Sequence, residues 1–475
     1  MLVENGHIYK GTYSGWYSIR DECFYNDSEL IDGKAPTGAE VEWVAKEESY
    51  FFSLSKFEDA LLQWYEDHPD AIKPSSRRNE VLSFVKGGLK DLSISRASFQ
   101  WGVPVPGDDD QVMYVWIDAL TNYISALGYP TTTTDDEADG ATSMFDKYWP
   151  GALHVVGKDI LRFHAVYWPA FLMAANLPLP KRVFAHGWWT KDGEKISKSL
   201  GNVIDPVELI ETVRCSILYR FDMCLLEPPP PLNQMICCFW VPCLCHVLAH
   251  DFFMNPHEFC LPRTSTFIQY GVDQTRFFLM SEVSFGNDGD FSDKAMILRI
   301  NNNLANELGN LCQRTLTLVF KNCGKAVPTN VGPYTEEDEA LLTKAKELHG
   351  KAAAAMSEQA IQQYVTHMIE MVWDANKYID EMAPWALKKT DPDRMATVLY
   401  VIMEVLRHVA ILYQPVIPTS ANKILDLLSV PEDQRAFEHI VAEGDEYKIQ
   451  PGAPISKPQG VFPRLELPAE ELVET

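Results

Sequence analysis

Two lysines three residues apart, in Lys195-Ile196-Ser197-Lys198-Ser199, have the types and the spacing to act on phosphate. Gly193 and Gly201 flank the pentapeptide, and glycine gives a loop the backbone freedom that it needs to close. Lysine ammonium groups and serine hydroxyls both donate to phosphate oxygens. The pattern predicts a loop that handles a triphosphate, although a solvated lysine- and serine-rich turn explains the pentapeptide alone equally well.

The elements that would position this loop are apolar strands alternating with helices. The runs 112–117 and 154–159 have strand length and precede stretches with helical spacing, and a third strand at 182–186 leads into the lysine loop. Such alternation indicates a parallel sheet, whose ligands bind at the carboxyl ends of the strands. The residues at those ends are Trp116, Asp118, Gly157, Lys158, Asp159 and His164. An ordinary packed core is the competing interpretation of the aromatic residues here.

Composition limits the partners. The chain has 475 residues, 46% of them apolar, which suits two to four domains with packed cores. Its formal charge of −25 argues against a broad basic surface, so a nucleic acid would have to be recognised by a local patch or by stacking. The first six residues lack the pattern of a signal peptide. Cys23, Cys312 and Cys323 form no disulfide framework, which favours a reducing compartment.

Five motifs along the chain belong together. In chain order they are Gly6-His-Ile-Tyr-Lys-Gly-Thr-Tyr-Ser-Gly-Trp-Tyr17, Val115-Trp-Ile-Asp-Ala-Leu-Thr-Asn-Tyr123, Gly157-Lys-Asp-Ile-Leu-Arg-Phe-His164, His186-Gly-Trp-Trp189 and Lys195-Ile-Ser-Lys-Ser-Leu-Gly-Asn-Val-Ile-Asp-Pro206. Together they resemble the methionyl-tRNA synthetases of the bacterial and organellar type, a family of class I enzymes. The resemblance implies an α/β plus all-α fold: the second half of a Rossmann-like parallel-sheet domain with a β-rich connective module, then an anticodon-binding helical bundle.

The resemblance also implies a set of site residues. Positions matching the methionine pocket are Val115, Trp116, Ala119, Tyr123, Phe163 and His164. Positions matching the ATP site are Gly157, Asp159, His186, Gly187, Lys195, Ser197 and Lys198, of which Lys195 and Lys198 are the catalytic lysines. Positions matching anticodon contacts are Asn303, Arg314 and Trp385.

The expected reaction joins methionine to its tRNA. The methionine carboxylate attacks the α-phosphate of ATP, which enters as its Mg²⁺ complex, and the terminal ribose of tRNA(Met) then takes the methionyl group. The expected partners are L-methionine, ATP and tRNA(Met), with no membrane, and the chain is a monomer or a homodimer. Because Cys23 has no companion at knuckle spacing, no structural zinc or other metal site is expected. We expect the protein in the cytoplasm or the mitochondrial matrix.

The chain divides into six segments on these grounds. They are a connective module of the zinc-free knuckle type at 1–105, the second catalytic half with the signature loop at 106–212, an anomalous insertion at 213–269, a link at 270–298, the anticodon-binding bundle at 299–430 and a tail at 431–475.

Residues 213–269 interrupt the family pattern. They hold seven of the ten cysteines and four consecutive prolines, and the pattern resumes at Tyr270. The 57 residues keep the reading frame, and codons for Val213 and Gln269 can supply splice-site dinucleotides, so we expect a retained intron. Two alternatives are a zinc cluster, whose cysteine pairs have the wrong spacing, and a transmembrane helix at 235–254, which would contain Pro242 and Asp251.

The amino terminus departs most from the family. Its members carry, before the residues that match Gly6-His-Ile-Tyr9, a further half of the nucleotide-binding fold with a His-Ile-Gly-His-like motif, and this sequence does not display it. We therefore expect little or no aminoacylation by the chain as given. The alternative function is that of a non-catalytic tRNA-binding or scaffold protein made from the helical bundle.

Overall fold

The computed structural model describes residues 1–19, 23–25, 27, 30–36, 38–97, 101–130, 143–191, 193–196, 201–211, 270–441 and 446–466. The proposed insertion and the loop residues Ser197 and Lys198 therefore lie outside the described residues. The chain forms two compact units: Met1–Trp188 with Phe285–Gly289, and Trp189–Ser284 with Asp290–Thr475.

Antiparallel sheets form the amino-terminal part of the first unit. Strands β1 (Ile8–Ser18), β2 (Cys23–Tyr25), β3 (Glu42–Phe52) and β5 (Leu92–Ser93) pair in the order β2-β1-β3-β5. A second sheet has the order β6-β8-β7, built from Ser95–Arg96, Asp108–Met113 and Pro104–Val105. The long β1 and β3 strands pair from Ile8 opposite Phe52, which buries Phe52 completely against the helices of this unit.

A parallel sheet carries the candidate site. Its order is β4-β10-β9, with β4 at Ile72–Lys73, β9 at Leu153–Gly157 and β10 at Arg182–His186. The sequence prediction put residues 72–73 in the connective module, but the structure pairs them in parallel with β10. The helices of this unit are α1 (Glu58–Asp67), α2 (Ser75–Lys86), α3 (Val115–Ser125), α4 (Met144–Tyr148) and α5 (Trp168–Ala174), the last preceded by a π-helical turn, Phe163–Tyr167.

The prediction of a strand at 112–117 in the parallel sheet is wrong. The strand β8 ends at Met113 and is antiparallel to β6 and β7, while Val115–Ile117 form the first turn of α3. Tyr114, in an extended conformation, separates the two elements. Hydrophobicity alone cannot distinguish a short buried strand from the buried start of a helix, and here the apolar run spans both.

The second unit begins with a small sheet and continues as helices. Strands β11 (Trp189–Lys191), β12 (Glu194–Lys195) and β13 (Gly289–Phe291) pair in the order β12-β11-β13. The helices are α6 (Pro206–Glu211), α7 (Val272–Ser281), α8 (Asp293–Arg299), α9 (Asn310–Asn322), α10 (Glu336–Ser357), α11 (Ile361–Met382), α12 (Pro384–Thr390), α13 (Pro392–Tyr413), α14 (Pro418–Leu427) and α15 (Glu438–Val441). A π-helical segment, Ile300–Gly309, joins α8 to α9.

The helix α13 is the centre of the bundle. Of the described helices it is the one long and apolar enough to cross a membrane, but 94% of its most apolar window is buried within the protein. It packs against α10, α11, α12 and α14, so its apolar residues form the core of the bundle.

Candidate active site

The carboxyl ends of two parallel strands bring the candidate ATP residues together. In the register of β9 and β10, Gly157 lies opposite His186. Asp159 follows β9, and its Oδ2 accepts a hydrogen bond from the indole Nε1 of Trp188 at 2.6 Å. The strand pairing therefore places an oriented carboxylate at the edge of the sheet where ligands of such folds bind.

The segment Phe285–Gly289 returns to this edge from far along the chain. A β-carbon on Gly187 would lie 2.2 Å from the carbonyl oxygen of Asn287, so only glycine lets the two backbones approach this closely. Lys158 Nζ donates to both carboxylate oxygens of Asp288 at 2.7 Å and lies 3.9 Å from the centre of the Trp188 ring. The hydrogen bond from Lys158, followed by that from the Trp188 backbone N–H, holds the pKa of Asp288 below its usual value.

An aromatic cluster, called the aromatic cleft below, joins α3 to the π-helical turn. Trp116 and Phe163 stack with ring centres 3.9 Å apart and planes 9° from parallel. Trp116, Ala119 and Tyr123 share one face of α3, because their spacing corresponds to one and two turns. Val115 and Ala119 are exposed, so this cleft has the soft aromatic walls and the small residue that suit a thioether side chain.

Tyr123 and His164 close one end of the cleft with a defined hydrogen-bond direction. The Nδ1 of His164 lies 2.9 Å from the carbonyl oxygen of Ile160, to which it can only donate. When the ring is neutral its Nε2 accepts from the Tyr123 hydroxyl, 2.9 Å away. Burial lowers the pKa of His164 although the Ile160 carbonyl opposes the shift, and burial raises the pKa of Tyr123. Both side chains are therefore neutral at pH 7, as a pocket for an uncharged side chain requires.

His154 lies next to Tyr123 and His164 at this end of the cleft. Its burial leads us to expect an effect of pH on stability. It is 5% exposed, its Nε2 has no hydrogen-bond partner within the described chain, and burial, with the nearby His164, lowers its pKa to about 4. Below pH 6.5 the unfolded chain takes up this proton first, so stability is lost as the pH falls from 6.5 towards 4. We expect the wild-type protein to lose about 2 kcal/mol more than a His154→Phe variant between pH 7 and pH 5 in urea unfolding. Identical pH slopes would contradict this assignment.

The signature lysine Lys195 belongs to the second unit. It ends β12, where it pairs with Thr190 across the β11–β12 hairpin, and it is exposed. Asp290 supports the hairpin, because its Oδ1 accepts hydrogen bonds from the Thr190 hydroxyl at 2.6 Å and the Gly193 N–H at 2.9 Å. The structure thus anchors the base of the predicted phosphate loop, whose other named residues lie outside the described part of the chain.

Two of the three anticodon candidates meet on the surface of the bundle. The Arg314 guanidinium lies 6.0 Å from the centre of the Trp385 ring and donates to Asp380 at 2.9 Å and to Asn376 at 3.2 Å. Trp385 is 47% exposed at the start of α12. Asn303 lies in the π-helical segment, eleven residues before Arg314, or about 16 Å along a helix. The exposed Asn310, one turn before Arg314, is nearer to this pair.

Sequence reasoning missed Trp188 and Asp288 beside the strand ends, and Arg96 near the start of α3. Trp188 and Asp288 were not singled out, because their link to Asp159 and Lys158 joins distant parts of the chain. Arg96 is only 4% exposed, and its guanidinium lies 4.5 Å from the ring of Tyr114, which immediately precedes α3. The sequence shows this arginine, but only the structure shows that it is buried.

Across the described residues, no group of three or more His, Cys, Asp or Glu side chains is arranged to hold a metal ion.

Comparison with known proteins identifies the family. A model described as "tRNA synthetases class I (M)" matches residues 28–229 and 259–316, and the "anticodon binding domain of methionyl tRNA ligase" matches 327–472. The methionine–tRNA ligase of Rickettsia felis is 46% identical over 468 residues, covering 98% of this chain and 78% of that protein. The enzyme of Brucella suis is 48% identical over the same length, with 98% and 77% covered.

Solved structures agree with the sequence matches. Mycobacterium tuberculosis methionyl-tRNA synthetase bound by methionyl-adenylate superimposes with a TM-score of 0.78 at 43% identity, covering 97% of this chain and 79% of that one. Its free form gives a TM-score of 0.76 at 42% identity, with 98% and 80% covered.

The parallel sheet with its strand-end site and the helical anticodon-binding domain define a class I aminoacyl-tRNA synthetase. Within that class, the chain belongs to the methionyl-tRNA synthetases, the methionine–tRNA ligases. The expected fold class is thereby confirmed. The expectations of a missing catalytic half and of an inactive chain find no support in matches that span 98% of the chain, and these matches do not confirm a retained intron.

Proposed function

We propose that this chain activates methionine with ATP and transfers it to tRNA(Met). The observation that carries the proposal is the neutral aromatic cleft of Trp116, Phe163, Tyr123 and His164 in the same unit as the strand-end carboxylate Asp159. The cleft suits the methionine side chain, and a carboxylate is a good acceptor for the ribose hydroxyls of ATP. Family membership makes this combination specific for methionine.

The chemistry needs positioning more than a reactive side chain. In the first step a carboxylate oxygen of methionine bonds to the α-phosphorus of ATP, and the bond to the β-phosphate oxygen breaks, which releases pyrophosphate. In the second step a terminal ribose hydroxyl of tRNA attacks the methionyl carbonyl, AMP leaves and the hydroxyl proton is lost. Most of the rate acceleration in such a reaction comes from holding the reactants in position and from neutralising the charge on the phosphates. Lys195 and Lys198 are proposed to neutralise the charge of the leaving pyrophosphate and Ser197 to donate a hydrogen bond to it, with Mg²⁺ entering on the substrate ATP.

Methionine-dependent ATP–pyrophosphate exchange by the purified 475-residue chain tests the proposal. We expect exchange that requires methionine and is followed by charging of tRNA(Met). Binding of tRNA without any exchange would instead favour the alternative, a non-catalytic tRNA-binding or scaffold protein built on the helical bundle. We also propose a cytoplasmic or mitochondrial location, and a monomer or homodimer, which imaging of the tagged protein and light scattering respectively test.

A change at Trp188 tests the positioning of Asp159. Trp188→Phe keeps an aromatic ring beside Lys158 but removes the N–H that orients the carboxylate. A hydrogen bond to a charged group contributes about 1.5–3 kcal/mol, so we expect the KM for ATP to rise about tenfold or more. The KM for methionine should stay within twofold. Trp189→Phe in the same motif is the matched control, and an equal rise there would refute a specific role for Trp188.

A change at Trp385 tests anticodon recognition. Stacking of a base on an aromatic ring contributes about 1–3 kcal/mol, so Trp385→Ala should raise the KM for tRNA about tenfold or more. Pyrophosphate exchange, which needs no tRNA, should be unchanged. Trp373→Ala is the control, because Trp373 is similarly exposed, at 51%, on α11 of the same bundle. Equal losses of exchange and charging would contradict the assignment.

We further propose that residues 213–269 are an insertion derived from a retained intron. The Tyr270 N–H donates to the Leu209 carbonyl at 3.3 Å, just as the Leu209 N–H donates to the carbonyl of Asp205, which immediately precedes α6. Without the 57 inserted residues Tyr270 would be residue 213, and its bond to Leu209 would continue the i to i−4 pattern of the helix. The family match is interrupted between residues 229 and 259, inside this segment, although it includes 213–229 and 259–269.

Sequencing the messenger RNA tests this origin. A spliced message that joins the Thr212 codon to the Tyr270 codon, alongside genomic DNA that contains the intervening sequence, is the expected result. If every message retains the 57 codons, the segment is a constitutive part of the protein and the intron proposal fails. A variant lacking 213–269 should fold and bind tRNA, because the bond between Leu209 and Tyr270 needs no rearrangement.

A further inference from the structure

A cavity in the helical unit has a lining that the synthetase reaction does not use. It has a volume of about 240 Å³ and lies among α10, α13, α15 and the segment Glu446–Ile449. Three cationic side chains line it, namely Lys346, Arg407 and Lys448. In a protein whose formal charge is −25, such a grouping of cations around one cavity calls for a physical reason.

Arg407 is the buried member of the group. It is 3% exposed, and its Nε donates to Glu404 Oε2 at 3.0 Å while its Nη2 donates to His408 Nε2 at 2.9 Å. Its Nη1 has no hydrogen-bond partner within the described chain. A buried donor left without an acceptor destabilises the folded protein, and a charged donor does so more strongly than a neutral one. An anion in the cavity would supply the acceptor that the protein does not.

The lining of the cavity contains fewer acidic side chains than cationic ones. Glu404 is tied to Arg407 and also accepts the Ile449 N–H at 2.5 Å, which leaves Glu339 as the other acidic residue in the lining. Burial, and then the charges of Arg407, Lys346 and Lys448, lower the pKa of His408 to about 3. His408 is therefore neutral at pH 7, chiefly because it is buried, and it adds no charge of its own to the cavity.

Neighbouring lysines on α10 show that Lys346 is unusual. Lys344 pairs with Asp374 at 2.7 Å and Lys351 pairs with Glu347 at 3.7 Å. For Lys346, by contrast, the described residues include no ion-pair partner, and the side chain lines the cavity instead. The other walls are partly apolar, with Leu342, Ile440 and a stacked His439–Tyr447 pair whose ring centres are 4.2 Å apart.

We propose that this cavity binds a small organic phosphate, with the phosphate on Lys346, Lys448 and Arg407 Nη1 and the organic part against the His439–Tyr447 pair. Arginine and lysine are the preferred donors to phosphate oxygens. Pockets for drug-sized ligands are roughly 300–1,000 Å³, so a cavity of about 240 Å³ suits a smaller molecule. The site is separate from every residue assigned to methionine, ATP or the anticodon, so it does not depend on the proposed function.

Titration calorimetry with inorganic phosphate and with phenyl phosphate tests the site. The full chain is titrated at pH 7.5 and constant ionic strength, as wild type, as a Lys346→Ala/Lys448→Ala variant and as a Lys344→Ala/Lys351→Ala variant. The two variants remove equal charge, but only the first alters the cavity. We expect phenyl phosphate to bind more tightly than phosphate, and both to bind at least tenfold more weakly to the cavity variant. The control should stay within twofold of the wild type.

Two results would overturn the proposal. One is the absence of saturable binding by the wild type, which would mean that there is no site. Equal weakening of binding in both variants counts as the same result, because it would mean that phosphate binds elsewhere or through net charge. The other is an unchanged affinity for phenyl phosphate in the cavity variant together with a tenfold rise in its KM for tRNA, which would assign the lysines to the tRNA backbone. Arg407 is left intact in these variants because its buried ion pair with Glu404 also stabilises the bundle.

Discussion

Replacing Trp116 by alanine is expected to raise the KM for methionine about hundredfold. Trp116 stacks on Phe163 with ring centres 3.9 Å apart and borders His164 at 6.0 Å, so it supplies much of the aromatic surface of the cleft. Truncating a packed aromatic side chain to alanine costs about 3–5 kcal/mol in a core. For this half-buried ring we expect somewhat less, about 2.7 kcal/mol or a factor of one hundred. Pyrophosphate exchange at varied methionine concentrations measures it.

The controls distinguish a local effect on methionine binding from general damage to the first unit. Trp101 is 90% exposed in the same unit, so Trp101→Ala should leave both KM values unchanged. Trp116→Phe keeps a ring and should retain most of the affinity for methionine. The KM for ATP should change less than threefold in all three variants. A parallel rise in both KM values for Trp116→Ala would show that the substitution disturbs the whole sheet rather than the methionine site.

Replacing Asp338 by alanine is expected to lower the free energy of unfolding by about 3 kcal/mol, because it leaves a largely buried arginine without its counter-ion. The Asp338 side chain is completely buried, and it accepts hydrogen bonds from Arg394, from the Tyr378 hydroxyl and from the Thr335 N–H at 3.0 Å. These bonds join α10, α11 and α13 at the start of α10. Urea unfolding of the full chain, followed by the helical circular dichroism signal, measures the loss.

Asp374→Ala is the matched control for this prediction. Asp374 pairs with Lys344 at 2.7 Å, but both side chains are about half exposed, at 40% and 54%. Exposed pairs contribute about 0–1 kcal/mol, so this variant should unfold almost like the wild type. The double variant Asp338→Leu/Arg394→Met, which removes both charges, should recover much of the loss. Equal destabilisation by Asp338→Ala and Asp374→Ala would contradict a special role for the buried pair.

Asp338 also predicts how the bundle responds to acid. Burial alone would raise its pKa, but the hydrogen bonds from Arg394, Tyr378 and Thr335 outweigh burial and lower it. A lowered folded-state pKa means that the stabilisation is complete above the unfolded value of about 4 and is lost as the pH falls further. The Asp338→Asn variant should therefore show a smaller loss of stability below pH 4 than the wild type.

The sequence by itself determined the chemical class of this protein. The motifs around Trp116, Asp159 and Lys195 resemble those of the methionyl-tRNA synthetases, and the resemblance can be seen in the sequence because each motif is local. The periodicity of α11 and α13 likewise predicts the bundle. These features can be predicted without knowing which distant residues are in contact.

Only the tertiary structure decided how the site is held. The boundary between β8 and α3 escaped prediction because one apolar run serves both a strand and a helix. The bonds of Trp188 to Asp159 and of Lys158 to Asp288 span 29 and 130 residues, and the cavity around Arg407 joins α10, α13 and the segment beyond α15. A linear pattern records which side chains can donate or accept, but the partner of each is set by the packing of the sheet and the helices.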